Sequence, residues 1–121
     1  MYAKVIVGLN QPEMDKLFEY FGYSNMHMGT VEGDFSIESF LDELKNLHPA
    51  HVHLAPFMIV AGDHATNDMS GEDDDSWKSI LEKEGYSVKC TLKGLGEIQA
   101  VRDIFIRHTR AGLDRLSEIQ A

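Results

Sequence analysis

Cysteine occurs once in this 121-residue chain, at Cys90. No disulfide can close within it, so a reducing cytoplasm is the expected compartment and a buried structural thiol the expected role of Cys90. Positive charge is scarce: 11 Lys and Arg against 20 Asp and Glu give a formal charge of −9. A nucleic-acid surface needs a basic stripe, and no cluster of Lys and Arg interleaved with aromatics is present, so nucleic acid is excluded as a partner. No apolar run reaches the length of a membrane span. The start, Met1-Tyr2-Ala3-Lys4-Val5, lacks the basic-then-apolar layout of a secretory signal. Internal repeats, linkers, Gly-rich Lys-Ser/Thr loops and nucleophile elbows are missing too, which removes nucleotide and serine-hydrolase chemistry.

What remains is an ordinary globular composition, 43% apolar and 26% charged, sized for one domain over residues 1–121. Short β-branched or apolar runs alternate with helical periodicity. Lys4 to Gly8 reads as a first strand, and Pro12 opens a helix carrying Met14, Leu17, Phe18 and Phe21 until Gly22 stops it. Asn25 to Thr30 is a second strand. Ser36 caps a helix with Ile37, Phe40, Leu41, Leu44 and Leu47 in register. Val52 to Val60 reads as a third strand, apolar enough for burial on both faces, with Pro56 marking a bulge or late start. Asp75-Ser76 caps a helix bearing Trp77, Ile80 and Leu81 that ends at Gly85. Tyr86 to Leu92 is a fourth strand, and a last helix from about Glu97 carries an apolar stripe through Ile104, Phe105, Leu113 and Leu116. The expected fold is an α/β three-layer sandwich with a mainly parallel sheet of about four strands.

In such sheets ligands bind beyond the carboxyl ends of the strands. Two chemically loaded segments fall there, Gly29-Thr30-Val31-Glu32-Gly33 and Gly62-Asp63-His64. Strand ends that neighbour one another would bring Glu32 and His64 together. A neutral imidazole plus a carboxylate can bind cobalt, nickel, iron or zinc, and the same imidazole can accept a proton. The competing reading is a loop histidine capping backbone groups and a glutamate serving a helix dipole. His48, His51 and His53 form a second cluster, at the opposite edge and with no third ligand evident, and read as surface or entry-loop groups. The acidic run Glu72-Asp73-Asp74-Asp75 lacks the alternation of a calcium loop and suits the start of the next helix. "KGLGEIQ", residues 93 to 99, is either an anion-binding turn or a tight strand-to-helix connection.

Taken together, "MGTVEGDFSIESFLDEL", "HLAPFMIVAGDHATNDMSGEDDDSWKSILEKEGYSV" and "LKGLGEIQAVRDIFIRH" resemble the carboxyl-terminal half of the anaerobic sirohydrochlorin cobaltochelatases, class II chelatases built of two similar α/β halves. The resemblance covers about residues 26 to 108. It implies a lyase of cobalamin and tetrapyrrole biosynthesis that inserts Co²⁺, or the related Ni²⁺ or Fe²⁺, into sirohydrochlorin without ATP. It also implies that Glu32 and His64 are metal-site and catalytic residues. Phe57, Met58 and Met69 would form an apolar wall for the macrocycle. Lys4, Lys93 and Arg102 are the nearest cations for its carboxylates. The family's other metal-site histidine should lie within residues 5 to 15, where "VIVGLNQPEMD" has none; Leu9 and Asn10 stand at that turn. The missing half implies a homodimer or a separate partner half, and the alternative to catalysis is a metal- or tetrapyrrole-binding module.

Overall fold

The computed structural model describes residues 2–7, 11–31, 36–47 and 49–120, with side chains from residue 16 onward. In chain order the elements are β1 (Tyr2–Val7), α1 (Gln11–Tyr20), β2 (Met26–Gly29), α2 (Ile37–Leu47), β3 (His51–Pro56), α3 (Trp77–Lys83), β4 (Ser87–Cys90) and α4 (Gln99–Gln120). The strands form one sheet in the order β2-β1-β3-β4, and every pairing is parallel. This is the expected α/β class and strand number.

Right-handed crossovers place α1 on one face of the sheet and α2 and α3 on the other. The second face holds the core. Ile37, Phe40 and Leu44 of α2 meet Trp77 and Leu81 of α3 over Val52 and Leu54 of β3, with Met69 closing the cluster. Each such side chain, fully buried, contributes about 2 kcal/mol of transfer free energy. The Phe40 and Trp77 rings sit 6.0 Å apart and crowd the end of β2. A Cβ on Gly29 would lie 2.4 Å from the Trp77 ring and 2.6 Å from Phe40, so only glycine lets these rings close over the strand. Ser76 caps α3 as its sequence suggests, its Oγ accepting from the Ser79 N–H at 3.1 Å and donating to the Gly71 carbonyl at 2.7 Å.

Several expectations need correcting. β3 ends at Pro56, paired with Val7, instead of running to Val60; proline offers no N–H to continue the ladder. Residues 57–61 are a loop, with Ile59 and Val60 exposed. β3 is also not buried on both faces. Val52, Leu54 and Pro56 are buried, while His51 is exposed and His53 and Ala55 are half-buried. That is the period-two alternation of a strand with one covered face. Glu97 belongs to a 3₁₀ turn, Leu95–Glu97, that precedes α4, and no residue of α4 is buried. Cys90 is half-buried, and burial raises its thiol pKa above the ordinary range. Among the described residues no helix is long and apolar enough to cross a membrane.

Candidate functional site at the carboxyl edge of the sheet

The strand order locates the crevice. From β1 the chain turns towards β2 on one side, and the next crossover carries it past β1 to β3 on the other. Opposed connections of this kind open a gap beyond the carboxyl ends of the strands. β2 and β3 are therefore not neighbours, as their loops' presumed convergence required. β1 separates them, so their ends lie about 10 Å apart, two strand spacings. Long side chains reaching inwards from both loops span such a gap; short ones do not. Glu32, Leu9, Asn10 and His48 lie outside the described residues.

His64 opens a single π-helical turn, His64–Met69, of the kind that recurs at functional sites. The turn is anchored from beneath. Ala65 and Met69 are fully buried, and Ser70 closes the wider loop, its N–H donating to the Ala65 carbonyl at 3.2 Å and its Oγ to the same oxygen at 3.0 Å. With residues 65 and 69 facing inwards, residues 64 and 68 face outwards. His64 Nδ1 lies 2.6 Å from Asp68 Oδ2, and the two side chains are 57% and 53% exposed. A carboxylate only accepts, so the imidazole carries its proton on Nδ1, and in the neutral ring the lone pair is on Nε2. This is how a carboxylate orients a metal-ligating histidine and raises its basicity. The sequence flanks His64 with carboxylates, and the i,i+4 spacing within "DHATND" marks Asp68 as the one that pairs with it.

The segment leading into the turn is held by "KGLGE". Leu95 and Gly96 donate their N–H groups to the carbonyls of Met58 and Ile59 at 2.7 and 3.0 Å, and Gly94 donates to Glu97 Oε2 at 2.9 Å. Those amides are thus engaged within the protein, which settles this stretch as a tight connection and removes the anion-binding alternative. A Cβ on Gly94 would fall 2.3 Å from the Ile59 carbonyl oxygen. Arg102 fastens the turn to α4, donating to the Gly96 carbonyl at 3.0 Å and to Gln99 Oε1 at 2.7 Å. The apolar wall also differs from expectation. Met69 is fully buried and Met58 packs on the core, so the exposed apolar side chains of the segment that leads to His64 are Phe57, Ile59 and Val60.

Among the described residues, the other histidines do not join this site. His53 Nε2 sits 2.6 Å from Thr91 Oγ1, and His51 is exposed at the amino end of β3. A recess of about 280 Å³ lined by Glu19, Tyr23, His27 and Glu43 includes Met26, the first residue of β2, and so also lies at the amino edge. Among the described residues no group of three or more His, Cys, Asp or Glu gathers in a ligand set; His64 and Asp68 are two.

The model of one family, "Cobalt chelatase (CbiK)", matches residues 10–114. The chain belongs to this family. It is similar to a sirohydrochlorin cobaltochelatase of Salmonella typhimurium, 40% identical over 91 residues, which are 75% of this chain and 34% of that protein. A second relative, sirohydrochlorin cobaltochelatase CbiKC of Nitratidesulfovibrio vulgaris, is 36% identical over 94 residues, 78% of this chain and 33% of the relative. The chain thus spans about a third of the length of the curated relatives that it matches.

Proposed function

We propose that this chain works in the ATP-independent insertion of Co²⁺ into sirohydrochlorin, supplying one side of the cleft. The observation that carries the reading is His64 held outwards at the carboxyl edge with its Nδ1–H committed to Asp68. The names of the two relatives support the metal and the macrocycle. In this reading His64 Nε2 binds the incoming ion and Glu32 adds a carboxylate oxygen from the β2 loop. The macrocycle lies against Phe57, Ile59 and Val60. As the metal passes from Nε2 to the macrocycle, two pyrrole N–H protons leave; the freed imidazole takes one and a carboxylate the other. The charge of −9 attracts the cation, and the field is screened beyond about 8 Å at physiological salt. Ni²⁺ and Fe²⁺ suit the same nitrogen and oxygen ligands. In this reading a second copy or a separate half supplies the other side of the cleft.

The test follows the absorbance of the cobalt product. His64→Ala is expected to lower the rate by at least about 100-fold; a variant as fast as the parent chain sinks the assignment. Cobalt binding with no turnover above the spontaneous background would leave only the binding-module reading.

A further inference from the structure

Among the described residues two polar side chains are buried, Thr30 at 6% exposure and Ser76 at 0%, and their hydroxyls fare in opposite ways. Ser76 Oγ is fully used. It donates to the Gly71 carbonyl at 2.7 Å, accepts from the Ser79 N–H at 3.1 Å and meets Ser79 Oγ at 3.0 Å. Thr30 Oγ1 is sealed from solvent and has no hydrogen-bond partner. A hydroxyl in that condition has lost its hydration and gained nothing in exchange, whereas valine has the same shape without the cost. A buried polar group that stays unpaired calls for a use in some other state of the protein.

Its place supplies that use. β2 ends at Gly29, paired with Val7 of β1, so Thr30 is the first residue beyond the ladder, at the carboxyl edge of the sheet. Side chains alternate along an extended chain. A Cβ on Gly29 would run into Trp77 and Phe40, and Val31 packs on the same core. Thr30 is thereby turned to the opposite face, with Met28. Glu32 stands two residues further on, an interval that returns to the same face in extended chain. A hydroxyl has one proton to give, and an ionised carboxylate only accepts. Bonds of that kind are charge-assisted and among the stronger ones.

We infer that Thr30 is a positioning residue whose hydroxyl donates to the Glu32 carboxylate when the metal site is filled, aiming the second ligand as Asp68 aims His64. The inference rests on the reading that gives Glu32 to the cobalt ion. One carboxylate oxygen then takes the hydroxyl proton while the other faces the metal, and the cost of the unpaired hydroxyl is recovered. Urea denaturation of the metal-free full chain and its calorimetric titration with Co²⁺ test this together. Thr30→Val keeps the shape and removes the hydroxyl. It should raise the urea midpoint by about 0.5 M and yet weaken cobalt binding at least tenfold. Thr30→Ser, which keeps the hydroxyl, should bind cobalt as the parent chain does. In a Glu32→Ala background, Thr30→Val should cost no further affinity, because the two side chains act as one unit. An unchanged or lower urea midpoint for Thr30→Val means that the hydroxyl already has a partner, such as an internal water, and overturns the inference. Parent-like cobalt binding by Thr30→Val, or an additive loss in the Glu32→Ala background, also overturns it; the metal reading then stands alone if Glu32→Ala and His64→Ala still weaken binding. Cobalt affinity indifferent to those two substitutions overturns the metal reading itself, and this inference with it.

Discussion

Replacing Gly94 with alanine tests whether the β4–α4 connection holds the segment leading to His64. The new Cβ would fall 2.3 Å from the Ile59 carbonyl oxygen, 2.7 Å from Val60 Cα and 2.8 Å from the Ile59 carbonyl carbon. All three are backbone atoms, so no side chain can swing aside. Ordinary contact requires about 3.5 Å, and one strand of the connection must withdraw by about 1 Å. That motion disrupts the bonds from Leu95 to Met58 and from Gly96 to Ile59, 2.7 and 3.0 Å long, each contributing about 1 kcal/mol. Residual overpacking adds about 1–3 kcal/mol, and the stiffer unfolded chain returns about 0.5 kcal/mol. The net cost is about 2.5–4.5 kcal/mol, which urea denaturation followed by circular dichroism resolves. Gly62→Ala is the control, since a Cβ there meets nothing within 4 Å and should shift stability by less than about 0.5 kcal/mol. If Gly94→Ala is as mild as that control, the clamp is not what fixes residues 58–60.

Three further outcomes are expected. Asp68→Asn leaves a neutral amide against His64 Nδ1, now 2.6 Å from a carboxylate oxygen, and should weaken cobalt binding by about 10- to 100-fold in titration calorimetry; unchanged affinity would remove Asp68 from the site. Ser76→Ala removes the N-cap of α3 and the bond to the Gly71 carbonyl, and should cost about 1–2 kcal/mol in the same denaturation experiment. Burial raises the Cys90 pKa, with Lys78 opposing it, so the folded chain keeps its thiol proton where the unfolded chain loses it. That contribution is intact below the unfolded thiol value and fades as pH rises through the folded one. Stability should decline above about pH 8.5, and Cys90→Ala should flatten the decline; an unchanged slope would refute the assignment.

The sequence was most informative where one residue fixes one local geometry. Ser76 capping α3 and Gly22 ending α1 at a φ of 80° follow from side-chain hydrogen bonding and from the missing Cβ, and neither depends on the rest of the fold. The errors arose where the outcome depends on what packs alongside. The apolar run 57–61 looks like a buried strand, but Pro56 ends the ladder and leaves Phe57, Ile59 and Val60 as exposed surface. The stripe on α4 reads equally well against a sheet or against another helix, because periodicity gives a face and not a partner. Strand order was the costliest gap. Placing β1 between β2 and β3 doubles the distance that the Glu32 and His64 loops have to bridge.

That distance shifts weight onto Asp68. In the proposed site, which draws its second ligand from the loop after β2, chance convergence contributes little, so the histidine must be aimed before the metal arrives. The aiming device is local: a turn pinned by buried Ala65 and Met69, a carboxylate one turn along, and a clamp on the segment that leads into it. Each part lies within residues 58–70 or is hydrogen-bonded directly to them. Cobalt binding by His64 should therefore depend on Asp68 whether or not a second subunit is present, whereas turnover on the macrocycle should depend on both. Measuring the two separately, at protein concentrations below and above any self-association seen by sedimentation, distinguishes a ligand oriented within one subunit from a site assembled only by the pair.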